Sequence, residues 1–205
     1  MKKILLFLNL LSVFAFLHAQ ESATKSKFLR KMDSCNLQFV PTDSFSLYKE
    51  IPIDTSLDVK YDYAIFDSIN DCEIRYKILP LGWAVHPQSD SSFKTVMVGQ
   101  DMVYLTTIPA LGFDISQQEN SVKLLRQFPA AAVKHDFNAD KGNEFFLTLG
   151  PNSQFGKGHI GIYVISYYKK DKAMIFVFYL LKKMLPQTVF LPMYFNTYKI
   201  MQFKD

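Results

Sequence analysis

The chain has few of the residues that usually announce chemistry. It contains no C-x-x-C and no H-E-x-x-H, so close-spaced zinc ligands are not encoded. His86 and His159 stand without ligand-spaced companions. The G-x-S-x-G nucleophile elbow is absent as well. A strong excess of charge is missing: the formal charge is +4, and two of those charges, Lys2 and Lys3, belong to a removable leader. Such a balance implies no acidic partner and falls short of what nucleic-acid binding needs. After residue 19 no stretch is long and uncharged enough to cross a bilayer. Internal repeats and low-complexity segments are lacking.

What is present begins at the N-terminus. Lys2 and Lys3 precede the apolar run at residues 4–17, interrupted only by Asn9 and Ser12. Ala19 then gives way to the polar Gln20 and Glu21. This is the layout of a secretory signal peptide over residues 1–19, and it predicts a periplasmic or secreted protein. Residue 20 is Gln with no Cys near it, so an N-terminal lipid anchor is not expected. The remainder divides into an extension at residues 20–40, carrying a short helix, and one α+β domain at residues 41–205. Cys35 and Cys72 are the two cysteines. An oxidising compartment permits a bridge between them, which would stabilise by about 3–4 kcal/mol in the chain-entropy model. The other reading is two independent, half-buried thiols.

Local patterns give most of the elements. A helix is predicted over residues 27–36 and a short strand over 45–51. Residues 61–66 and 72–78 read as a β-hairpin: Cys72, Ile74, Tyr76 and Ile78 alternate with Glu73, Arg75 and Lys77, and residues 68–71 supply turn chemistry. That alternation places Glu73 and Arg75 on a solvated face. A helix is expected over residues 99–108, stopped by Pro109 and Gly112. A second is expected over 116–127, with Ser116 and Glu119 as a capping box and Pro129 ending it. Residues 144–149 read as a strand, 150–158 as a loop, and 160–168 with 173–181 as a hairpin turning at Lys169, Lys170, Asp171 and Lys172. Residues 174–180 are apolar throughout, which predicts a central strand. Residues 186–203 read as a closing helix, with Pro192 tolerable only near its first turn.

Several motifs bear on function. Gly156-Lys157-Gly158-His159-Ile160-Gly161 matches G-x-G-x-x-G, but β-forming Ile162-Tyr163-Val164-Ile165 follows where a helix is needed, so a dinucleotide site is excluded. Residues 150–157 miss the P-loop spacing by one residue, and Gly158 stands where Ser or Thr should hold magnesium. Asp136, Asn138, Asp140 and Glu144 place hard oxygen ligands at every second residue, in the manner of a calcium loop. Gly142 comes one position late for that loop, and Leu147 occupies the place of the bidentate glutamate, so an EF-hand is excluded. The other reading is an Asx-rich turn before a strand. Adjacent side chains generally diverge, so His135 and Asp136 are not expected to form a dyad. Trp83 is expected to plug an end of the core. Tyr163, Tyr167 and Tyr168 are expected to serve in sheet packing.

The order of elements, with Arg75-Tyr76-Lys77-Ile78-Leu79-Pro80-Leu81-Gly82-Trp83 closing a strand and Ile200-Met201-Gln202-Phe203-Lys204 closing the chain, resembles the PsbP-like group. Its members often carry a strand ending in P-x-G-W, a long antiparallel hairpin and a last helix ending near I-x-x-F-K. The resemblance covers about residues 60–204 at the level of pattern, and residues 93–143 depart from it. It implies an α/β/α sandwich around an antiparallel sheet, serving as a binding, assembly or chaperone-like module. No catalytic residues carry over. The expectation is thus an exported, non-enzymatic module that binds a protein partner at the cell envelope without a cofactor. The alternative is a hydrolase or small-ligand binder dependent on calcium at Asp136, Asn138, Asp140 and Glu144.

Overall fold

The computed structural model describes residues 25–81 and 99–205. Trp83 and His86, and the leader at residues 1–19, lie outside the described residues. Residues 25–34 form helix α1, followed by β1 (Leu37–Phe39), a 3₁₀ turn (Asp43–Leu47) and the short strand β2 (Lys49–Glu50). The hairpin β3 (Tyr63–Asp67) and β4 (Cys72–Pro80) comes next, then α2 (Gln100–Ser116). The chain continues through β5 (Val122–Gln127), α3 (Ala130–Phe137), β6 (Lys141–Thr148), β7 (Gly161–Lys169) and β8 (Ala173–Leu181). It closes with α4 (Gln187–Thr197) and β9 (Met201–Phe203).

Seven strands form one antiparallel sheet in the order β2-β3-β4-β8-β7-β6-β5, and β1 pairs with β9 in a sheet of two. Both expected hairpins are present. Ile65 stands opposite Ile74 in the first, and its turn is fixed by Asp67, whose Oδ1 accepts the Ile69 and Asn70 amides at 3.0 and 3.1 Å. β8 sits between β4 and β7 and is buried along its whole length, as its unbroken apolar character requires.

Each face of the sheet carries its own core. Ile175, Val177 and Tyr179 of β8 face Phe28 and Met32 of α1, Val133 and Phe137 of α3, and Met193 and Tyr198 at α4. The intervening Met174, Phe176 and Phe178 face Tyr104, Ile108 and Ile115 of α2, together with Tyr61 and Phe155. The fold is therefore α+β, an antiparallel sheet between two helical layers in an α/β/α sandwich. Residues of the N-terminal extension belong to the same core: Cys35 and Leu37 are buried in it, and Leu37 pairs with Phe203.

The structure corrects several local expectations. α2 does not stop before Pro109 but runs through it and Gly112 to Ser116. Pro109 lies on the outer side of α2, so the carbonyl left without its usual donor, that of Leu105, is on the exposed side. Residues 116–127 are not a helix. Ser116 ends α2, Gln117 and Asn120 take left-handed conformations, and residues 122–127 pair with β6 as an edge strand with a bulge between Lys123 and Arg126. Pro129 precedes a helix instead of ending one, because α3 begins at Ala130. The closing helix ends at Thr197, Pro192 is inside it, and the terminal residues become β9 because β1 offers them a partner. Residues 45–51 supply only the end of a 3₁₀ turn and the two-residue strand β2. Cys35 and Cys72 are unbridged and fully buried. Burial pushes the Cys72 thiol up to about 12 and the Cys35 thiol upward too, so both stay protonated and inert.

Candidate functional site

The feature that stands out is the outer side of α2. Tyr104, Ile108, Leu111 and Ile115 recur at helical spacing and form its buried stripe. Polar contacts pin the helix in place. Asn143 donates to the Tyr104 hydroxyl at 2.8 Å, and that hydroxyl lies 2.9 Å from Ser166 Oγ. The Tyr104 ring stacks on Tyr168 at 5.3 Å. Gln100 donates to Asp171 Oδ1 at 2.8 Å and accepts the Asp171 amide at 2.7 Å. Lys141 donates to Asp101 at 2.6 Å, and its ammonium holds the Asp101 carboxyl below the usual carboxylate range.

Opposite the buried stripe lie Met102, Leu105 and Phe113, which are 54%, 45% and 50% exposed, with Thr106, Pro109 and Ala110 exposed among them. A cleft of about 360 Å³ borders this face. Thr107, Ala110 and Asp114 of α2 line one side, and Asp58, Lys60 and Lys77 the other. Lys77 Nζ donates to the Lys60 carbonyl at 2.5 Å, and burial pulls the Lys77 pKa down. An apolar strip with a polar margin on a firmly held helix is the pattern of a docking surface.

A second cleft, of about 510 Å³, is lined by the glycine-bearing loop at residues 149–160. Ser153 Oγ ties this loop to the end of α2 by donating to the Ile115 carbonyl at 2.6 Å, and it accepts the Gly156 amide at 3.1 Å. Gly158 takes a positive φ of 80°, and β7 follows at Gly161, so strand and not helix succeeds the glycines. Beneath the loop Arg75 is buried, which corrects the expected solvated face: the second layer covers this side of β4. Its guanidinium lies 4.8 Å from the Tyr61 ring centre and 4.5 Å from that of Phe155. It donates to Glu73 Oε1 and to the Phe155 carbonyl, both at 2.6 Å. His159 Nδ1 lies 3.1 Å from the Lys157 carbonyl, and burial lowers the His159 pKa.

The four residues of the candidate calcium loop hold four separate sets of partners. Asp136 accepts from the Tyr198 hydroxyl at 2.7 Å and lies 2.9 Å from His135 Nδ1, so those two neighbours do meet, contrary to expectation. Asn138 is the left-handed cap of α3, and its amide donates to the Phe203 and Lys204 carbonyls at 3.1 and 3.3 Å. Asp140 accepts the Lys170 amide at 2.8 Å. Glu144 is buried on β6 and takes hydrogen bonds from Arg126 and the Tyr163 hydroxyl. Burial and this carboxylate raise the Tyr163 pKa. Among the described residues, no three His, Cys, Asp or Glu side chains are grouped to hold a metal ion. Tyr167 and Tyr168 are fully buried in the sheet, whereas Tyr163 is only partly so.

The chain matches no protein-family model and no curated protein.

Pattern reading missed the α2 face. One signal was available: Met102, Leu105, Ile108, Leu111, Phe113 and Ile115 spread apolar residues over more than half of the helix circumference, wider than a single buried stripe requires.

Proposed function

We propose that this is an exported, non-enzymatic protein, periplasmic or secreted, that binds a protein partner at the cell envelope through the outer face of α2. The observation that carries this is the exposure of Met102, Leu105 and Phe113 on a helix whose opposite side is fully anchored. Apolar surface left in water forgoes about 25 cal/mol per Å². A partner that covers this strip recovers that energy without reordering the helix. Export rests on Lys2, Lys3 and the apolar run that follows. The resemblance to the PsbP-like group supports a binding or assembly role, with one departure: its final I-x-x-F-K segment falls here on β9 instead of a helix. One observation favours a small-ligand binder as a second reading, namely the cleft at residues 149–160 with Lys157 and His159 on its wall.

The test is affinity purification of the exported protein from its native envelope, with Leu105→Glu/Phe113→Glu run beside the wild type. A protein retained by the wild type and lost from the variant is expected. Equal retention by both would remove α2 from the proposal.

A further inference from the structure

α4 differs from the other helices in what it turns to water. Its inner side is seated on the sheet: Thr197 Oγ1 lies 3.0 Å from the Tyr179 hydroxyl, and the Phe190 ring meets that of Tyr163 at 5.1 Å. Thr188, Leu191, Pro192 and Phe195 recur at helical spacing on the opposite side. Phe195 is 53% exposed, with the exposed Pro192 on the same side, and Met184 in the approach to the helix is 72% exposed. A surface helix ordinarily turns charge outward, as α1 does with Lys27 and Arg30, α2 with Asp101 and Asp114, and α3 with Lys134. α4 turns out none, because residues 184–198 contain no Asp, Glu, Lys or Arg.

Charge returns just beyond both ends of this stretch, and it is of one sign. Lys182 and Lys183 precede it and Lys199 follows it, and from residue 172 to residue 204 the chain has lysines but no Asp or Glu. Lys182 reaches Asp71 at 2.7 Å and Lys199 lies 3.9 Å from Asp136, whereas Lys183 is exposed and enters no ion pair among the described residues. Apolar side chains between flanking cations are complementary to an anionic bilayer, where phenylalanine and methionine enter the headgroup boundary and lysines meet lipid phosphates. We infer that α4 and its Met184 approach dock this protein on an anionic lipid surface. The 11 residues of α4 span about 16 Å at 1.5 Å per residue, too short to cross a membrane, so the helix lies along it. α4 packs on the sheet face opposite to α2, and a chain resting on lipid through α4 leaves the outer side of α2 free.

Flotation of the purified exported protein with vesicles tests this, using phosphatidylcholine alone and an equal mixture of phosphatidylcholine and phosphatidylglycerol at low salt. Flotation with the mixture, little with phosphatidylcholine alone, and release as salt is added are expected. Lys183→Gln is expected to weaken flotation about fivefold. Met184→Glu/Phe195→Glu is expected to abolish it with circular dichroism unchanged. No flotation, or equal flotation with both vesicles, overturns the inference, as does a folded Met184→Glu/Phe195→Glu that floats like the wild type. Unchanged flotation of Lys183→Gln overturns it too, whether or not the double variant folds. If the wild type ignores both vesicles and a photo-reactive analogue at position 195 gives a protein adduct of defined mass in intact envelopes, the face belongs to a protein and the lipid assignment falls.

Discussion

Gly112 of α2 lies so close to Val122 of β5 that a Cβ added to the glycine would stand 2.8 Å from Val122 Cγ2. This contact seats the helix on the edge of the sheet and leaves its far side, with Phe113, turned outward. Alanine is the better helix former by about 1 kcal/mol, whereas overpacking costs about 1–3 kcal/mol. Val122 is β-branched and stiff at χ1, so it cannot swing away cheaply. Gly112→Ala is therefore expected to destabilise by about 1 kcal/mol in urea unfolding. A gain in stability would mean that α2 is not held against β5 in this way.

Arg75 is buried between two rings and bonded to Glu73 and Phe155, so its removal strands Glu73 and an unpaired carbonyl. Arg75→Ala is expected to cost about 3 kcal/mol, in line with breaking other buried pairs. Arg75→Lys should recover little of it, because an ammonium has neither the flat face nor the fork. Unfolding curves for the two variants decide this, and a lysine variant as stable as the wild type would refute the stacking role.

Burial lowers the His159 pKa from an ordinary value of 6.5. The folded chain thus binds this proton less readily than the unfolded one, and stability rises with pH wherever that difference operates. The contribution is complete above pH 6.5 and is lost as the pH falls below it towards the folded value. His159→Gln should flatten this part of the acid limb in thermal melts taken at stepped pH. An unchanged acid limb would show that another group sets it.

Asp136, Asn138, Asp140 and Glu144 are committed to different partners, so calcium would have to break Tyr198, Lys170 and Arg126 contacts to collect them. Millimolar calcium is expected to leave the melting temperature unchanged. A rise abolished by Asp140→Asn would restore the calcium reading.

How much of this was legible in the sequence follows from the range of the forces involved. The hairpins at β3–β4 and β7–β8 declare themselves because alternation and turn chemistry are local, and β8 because burial on both faces leaves it no polar residue. β5 does not: Val122, Leu125 and Phe128 satisfy helical spacing, and only the free edge of β6 draws residues 122–127 into a strand, with Leu124 86% exposed. β9 depends on β1, far away in the chain. The stops assigned to Pro109 and Gly112 fail because sequence does not say which side of a helix faces water. The candidate site is hidden for the same reason. Its residues are ordinary core types, and only the packing of Tyr104 and Ile108 beneath them shows that Met102, Leu105 and Phe113 are left outside.

The proposed coverage of the outer face of α2 by protein at the cell envelope can be probed in place. The most direct measurement places a photo-reactive phenylalanine analogue at position 113, with a control at Ile69 in the β3–β4 turn, which is the more exposed of the two at 77% against 50%, and irradiates intact envelopes. Protein adducts at 113, of defined mass and absent at 69, are the predicted result. No adduct at 113, or the same smear from both positions, would contradict it.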